Sequence, residues 1–140
     1  MPDRFGVRDE GPAKWFTAGP GLQMRPMVEG SGAAIILYRI APGIEFDLHR
    51  HEYSELAVVL AGGGELRIDT EFRELRAGDS YFVPGNTPHS FSVPPDGTAT
   101  VLMDVSVGLP ADTPGPSTAQ LLRQVEPLVH RTSTARPTFR

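Results

Sequence analysis

The sequence predicts an all-β domain, a barrel or sandwich of about eight to ten short strands with one late helix. Three observations carry that expectation. Gly and Pro are abundant, 15 and 14 of 140 residues, and they cut the chain into short pieces. The pieces between them are β-branched or alternate apolar with polar residues. Near the C-terminus one stretch spaces its apolar residues as a helix would. A chain of 140 residues makes one domain with room for a real core.

Residues 1–14 are polar and charged and read as an N-terminal arm. The barrel is expected over 15–109. It opens with Trp15–Met27, where Phe16, Met24 and Met27 are interrupted by Gly19, Pro20 and Gly21, giving one or two short strands. Ala33–Ala41 is an apolar, β-branched run and a strand. It ends at the turn dipeptide Pro42-Gly43. Gly62-Gly63-Gly64 reads as the turn of a hairpin joining Glu55–Ala61 to Glu65–Thr70. Short strands follow at Glu71–Arg76, Ser80–Val83, His89–Val93 and Thr98–Val107. Residues 110–140 form a linker, a helix and a tail. Pro110–Pro116 is the linker, with three prolines. Ser117 and Gln120 form a capping box for a helix through Leu121, Leu122 and Val125, which Pro127 ends. Residues 131–140 are expected to fray, and the lone His130 to face solvent.

Bulk properties exclude several functions. A net charge of −4 argues against binding nucleic acid through a basic surface. The absence of cysteine excludes disulfides, iron–sulfur clusters, thiolate zinc sites and cysteine nucleophiles. No run of about 18 apolar residues exists to span a membrane. The polar N-terminus lacks an apolar signal segment, so a cytoplasmic protein is expected.

Three of the four histidines carry the functional signal. Gly43, His49, His51, Glu55 and Gly62 form one spaced pattern. Gly78, Pro84, Gly85, Asn86 and His89 form a second. His49 and His51 are two apart, so on a strand they share a face, roughly 6–7 Å apart along it. Glu55 would lie about 20 Å from His49 on a straight strand, too far to share an ion. The chain must therefore fold back through Glu52, Tyr53 and Ser54. Leu56, Val58 and Leu60 would then face one way, and Glu55, Ala57 and Val59 the other. His89 would reach the same cavity from a third strand, after a turn supplied by Pro84, Gly85 and Asn86. Three imidazoles and a carboxylate are what a mononuclear transition-metal site needs.

These two patterns resemble the signature motifs of the cupin superfamily, over roughly Ala33–Val107. The resemblance implies a cupin-type jelly roll and makes His49, His51, Glu55 and His89 the metal ligands. The first motif is intact. In the second, Asn86 stands where the family often has Gly, and Val93 where it often has Asn. Asn tolerates the left-handed backbone that Gly would adopt. The stretch from His49 to Phe91 is also similar to AraC-type sensor domains, but the chain has no room for their helix-turn-helix pair. The resemblance also implies a homodimer.

Such a ligand set suits one divalent ion per chain: Fe(II), favoured here, or Zn, Mn, Ni or Co. Iron would support dioxygen activation, and zinc would polarise a carbonyl. The expected function is a metal-dependent oxygenase acting on an apolar, aromatic or polyketide-like organic acid or ketone. A redox-neutral cyclase or isomerase is the alternative, and a ligand-sensing module without turnover is the third reading. Trp15, Phe46, Phe91 and Met103 are expected to bind substrate, with Phe16, Met24 and Met27 as further wall candidates. Tyr53 is the expected proton donor, Arg39 the fork for an acidic group, and Glu55 a catalytic carboxylate. Asp47 and Asp104 are further polar candidates.

Overall fold

The computed structural model describes residues 7, 14–30, 32–109 and 124–132. Its strands are β1 (Phe16–Thr17), β2 (Leu22–Gly30), β3 (Ala33–Ile40), β4 (Ile44–Phe46), β5 (Ser54–Ala61) and β6 (Gly63–Ile68), then β7 (Glu71–Arg76), β8 (Ser80–Val83), β9 (His89–Ser92), β10 (Thr100–Val107) and β11 (Val129–Arg131). They form two antiparallel sheets. The first has the order β1-β2-β3-β10-β5-β8, the second β11-β4-β9-β6-β7. This is the all-β, jelly-roll class expected from the sequence, and β3, β5, β7 and β8 fall within a residue of their expected bounds.

The period of two fixes which side chains meet between the sheets. On β3, Ala34, Ile36 and Ile40 are buried. On β5, Ala57 and Val59 are buried while Leu56 and Leu60 face out, as their alternation requires. The core of Leu22, Met24, Ile36, Ile40, Ile44, Val59, Leu66, Phe91, Val93 and Leu102 runs between the two layers. On β10 the pattern inverts. Thr100, Leu102, Asp104 and Ser106 are buried, while Val101, Met103, Val105 and Val107 take the outer face.

Two expectations are corrected. Residues 62–64 do not turn a hairpin: β5 lies in the first sheet and β6 in the second, and β6 pairs with β7 and β9 instead. Gly62 (φ 73°) is where the chain crosses between layers. A Cβ there would lie 2.3 Å from the Ala99 carbonyl, so the crossover admits only glycine. Thr100 bridges the layers beside it, its Oγ1 accepting the Gly63 N–H at 3.1 Å. The sequence signal was a real backbone break, misread because glycine marks a sheet change as readily as a turn.

The second correction is at the C-terminal end. Arg131, expected to fray, pairs with Ile44 of β4, and the same strand places Val129 opposite Phe46 and His130 opposite Glu45. The barrel therefore takes a strand from beyond residue 109. Just before it, Gln124 and Val125 end a helical turn and Pro127 sits in a 3₁₀ turn, Glu126–Leu128. The expected linker at 110–116, the capping box at Ser117 and Gln120, the helical positions Leu121 and Leu122, nearly all of the arm at 1–14 and the tail at 133–140 lie outside the described residues.

Candidate metal centre

His49 and His89 are brought together by backbone pairing. They form an antiparallel bridge, each N–H donating to the other's carbonyl at 3.0 and 2.8 Å. Residues opposed across such a bridge point the same way, and the two rings lie 4.4 Å apart by centroid. His51 is two residues further and shares their face; its ring is 4.8 Å from that of His89. One ring nitrogen of each histidine lies within 4.8 Å of the other two. Glu55 returns to the cluster from β5, after the reversal expected at 52–54. Its carboxylate meets Nε2 of His51 in a short hydrogen bond and lies 3.5 Å from Nε2 of His89.

The second motif secures this reversal. Asn86 takes a left-handed backbone (φ 62°) and donates its N–H to the His51 carbonyl at 2.7 Å. Gly85 donates to the Ser54 hydroxyl at 3.0 Å. A Cβ on Gly85 would sit 2.3 Å from the Glu52 carbonyl. Glycine is thus needed at 85 because two loops touch there, and Asn suffices at 86.

Each histidine is held the same way. Nδ1 of His49 donates to the Asp47 carbonyl at 2.6 Å, Nδ1 of His51 to that of Tyr53 at 2.8 Å, and Nδ1 of His89 to that of Thr87 at 2.8 Å. A carbonyl only accepts, so Nδ1 carries a proton in all three rings; Nε2 of His49 and His89 is left to bind, while Nε2 of His51 carries a second proton, donated to the ionised Glu55, that a bound metal would displace. Carbonyl partners of this kind orient metal-ligating imidazoles and fix their tautomer. Nε2 of His89 is buried with no hydrogen-bond partner, a costly state for a polar atom that a bound cation would relieve. Three imidazole nitrogens suit a divalent transition metal, with the Glu55 carboxylate beside two of them, so the residues fit the ion that the sequence implied.

The centre opens on a cavity of about 430 Å³. All three tyrosines of the chain, Tyr38, Tyr53 and Tyr81, line it. Burial, with the charges of Asp104 and Glu55, raises every one of these phenols above its ordinary value, so each stays neutral. Asp104 lies on the inner face of β10 in one row with Ala57 and Tyr81. Burial and the neighbouring Glu55 push its carboxyl well above the usual range, which favours its protonated form. Burial would raise Glu55 too, but the imidazoles of His51 and His89 and the acid of Asp104 outweigh it and keep Glu55 ionised. Burial depresses His49. His51 is also opposed by burial, yet its bond to Glu55 raises it.

Of the four residues expected to bind substrate, Phe46 and Phe91 line the cavity. Tyr53 lies flat against His51, centroids 3.8 Å apart and planes within 3°. With its carbonyl on the same ring, Tyr53 braces His51 from two sides. Trp15, Arg39 and Met103 are corrections, since none of them lines the cavity. Met103 occupies the outer face of β10, one residue out of phase with Leu102 and Asp104, which line the cavity. Arg39 is out of phase with Tyr38 in the same way; it lies 4.0 Å over the Trp15 ring and donates to Gln23 at 3.0 Å. Phe16 and Met24 belong to the core, and Met27 is half-buried on β2 away from the cavity lining. Tyr38, Tyr81, Arg50 and the C-terminal residues Gln124, Val125 and Leu128 were missed and do line the cavity. Inward parity with Ile40 could have found Tyr38. Nothing local marks the C-terminal three.

A two-layer antiparallel barrel with a three-histidine cluster opening on a cavity defines a β-barrel protein with a candidate metal centre. The chain belongs to the cupin domain family, whose model matches residues 36–106. It is 31% identical over 87 residues to the dimethylsulfoniopropionate lyase DddW of Ruegeria pomeroyi, covering 62% of this chain and 55% of that one. It is 29% identical over 87 residues to the pectin degradation protein KdgF of Dickeya dadantii, covering 61% and 77%. The match thus spans little more than half of the first relative and about three quarters of the second. An RmlC-like cupin from Shewanella frigidimarina has a similar fold, with a TM-score of 0.67 at 24% identity over 77% of this chain and 95% of that one. No helix among the described residues is long and apolar enough to cross a membrane.

Proposed function

We propose that the protein is a metal-dependent enzyme that moves protons on a small organic acid or ketone in a redox-neutral elimination or isomerisation. The observation that carries this reading is the juxtaposition of the histidine cluster with three acidic side chains on one cavity wall: Tyr38, Tyr81 and Asp104. His49, His51, Glu55 and His89 would hold the metal. When bound, the ion would supply Lewis-acid polarisation of a substrate oxygen. Burial beside Glu55 favours the protonated form of Asp104, and in that form it would have a proton to give. Tyr38 and Tyr81 offer neutral O–H donors to a developing negative charge. Phe46, Leu66 and Phe91 exclude water opposite them. Arg50, a cation of the cavity lining, replaces Arg39 as the partner for a substrate carboxylate. A relative named as a lyase supports elimination chemistry.

An oxygenase remains the second reading, favoured by the ligand set itself. Three imidazoles and one carboxylate leave two of about six octahedral positions for substrate and dioxygen. Elemental analysis of protein purified without chelator tests the shared premise. About one equivalent of metal is expected per chain, and none in a His49→Ala/His89→Ala double variant. Metal-free wild type after anaerobic reconstitution with Fe(II) or Zn(II) would overturn both readings and leave a binding module. Turnover of candidate organic acids under argon supports the redox-neutral reading; oxygen uptake coupled to turnover supports the oxygenase.

A further inference from the structure

Asp47 is a junction between the C-terminal strand and the histidine cluster. Its carbonyl accepts Nδ1–H of His49 at 2.6 Å. Its backbone N–H donates to the Leu128 carbonyl at 2.8 Å. Its carboxylate accepts Nε2–H of His130 at 2.6 Å, and Glu45 Oε1 lies 3.6 Å from the same nitrogen. All three bonds converge on one residue two positions before His49. Two of them come from residues more than 80 positions away in sequence.

The segment that makes those two bonds is also a wall of the cavity. Gln124, Val125 and Leu128 line it. Val125 and Val129 are buried in the core, and β11 is the edge strand beyond β4. One short piece of chain therefore closes the cavity and grips the residue that aims His49.

We propose that His130 is a positioning residue: through Asp47 it fixes the ring orientation and tautomer of His49, so that the C-terminal strand sets the affinity of the metal centre. This rests on the metal reading above. The geometry supports it in three ways. The Asp47 carbonyl is the acceptor that holds the proton on Nδ1 and leaves Nε2 to bind. An extended strand end such as 47–49 has few bonds of its own, since β4 stops at Phe46 and His49 pairs through a single bridge. The side-chain bond from His130 and the backbone bond from Leu128 then restrain Asp47 from two directions. Outer partners of metal-bound histidines act by this kind of restraint, and losing one weakens metal binding by about 10–100-fold. His130 acts one residue further out, so the lower end of that range is expected.

The test uses the full chain and two readouts. Zn(II) affinity is measured by chelator competition for wild type, His130→Ala and His130→Gln. His130→Ala is expected to weaken Zn(II) binding about tenfold. His130→Gln, whose amide N–H can still reach Asp47, is expected to recover most of it. The second readout is the ¹⁵N signal of the His49 ring in metal-free protein. Wild type should show Nδ1 protonated, and His130→Ala a mixture of tautomers. Unchanged affinity and an unchanged His49 signal in His130→Ala, with lower thermal stability alone, would overturn the proposal and leave β11 a structural strand. If wild type binds no Zn(II), the metal reading fails. The ring signal then decides the His130–Asp47–His49 linkage by itself.

Discussion

The two sheets give the cavity unlike walls. From the first sheet come Tyr38, Glu55, Tyr81 and Asp104, with Leu102 among them. From the second come Phe46, Leu66 and Phe91, with His89 at the edge. The first wall carries four groups that hold or exchange protons, and the second carries mostly hydrocarbon. A carboxyl placed between such walls has little water to solvate its charge. That is why burial favours the protonated form of Asp104, while the imidazoles beside Glu55 favour its ionised form. Stability and chemistry are therefore divided between the layers, and substitutions on the two walls should fail in different ways.

The largest expected loss of stability is on the apolar wall. Phe91→Ala removes a buried ring from the core and should cost about 3–5 kcal/mol in urea denaturation. Phe82→Ala, on the outer face of the first sheet with half its surface exposed, should stay within about 0.5 kcal/mol. Similar costs at both sites would mean that the outer face is covered and the contrast between layers is misdrawn.

On the proton-bearing wall the loss should be of turnover. Asp104→Asn keeps a donor toward Glu55 and nearly the same volume, so stability should change by only about 1 kcal/mol. Losing the transferable proton should lower kcat on the order of 10²-fold or more. A variant with full activity would remove Asp104 from the chemistry.

The smallest effect sharpens the comparison at the seam, where His51 meets Glu55. In chelated protein the two shifts oppose each other across pH. His51 is raised above 6.5, so its contribution is complete below that value and is lost as pH climbs through its folded pKa. Glu55 is lowered below 4.5, so its contribution is present above that value and is lost as pH falls through its folded pKa. The pair should stabilise the metal-free protein most between about 4.5 and 6.5. Urea midpoints across pH should show that maximum flattened in Glu55→Gln. An identical profile in the variant would show that the pair contributes nothing to stability.

Much of this was legible in the chain. The alternation of β5 gave its inward face correctly, Glu55, Ala57 and Val59. The reversal at 52–54 followed from reach alone, because Glu55 and His49 could meet no other way. The turn at 84–86 was marked by its residues, although only the contact with the Glu52 carbonyl explains why 85 must be glycine. Other residues misled. Val101, Met103, Val105 and Val107 are the apolar set of β10 and would normally face a core, yet they lie outside. The inner positions are held by Thr100, Leu102, Asp104 and Ser106; Leu102 and Asp104 line the cavity, and Thr100 bonds Gly63 across the layers. Met103 was misplaced for that reason, and Arg39 for want of the same phase information on β3. His130 faces solvent as expected, with 45% of its side chain exposed, but its partners Glu45 and Asp47 lie far away in sequence and nothing local marked them.

The sequence by itself determined the strand-rich class, the ligand spacing and the fold-back that joins them, since these depend on local reach, turn chemistry and a period of two. Which strands share a sheet, which face of β10 looks inward and what closes the cavity were decided by the tertiary structure. Those outcomes depend on contacts between segments distant in the chain, where burial and pairing with a particular neighbour outweigh the local pattern.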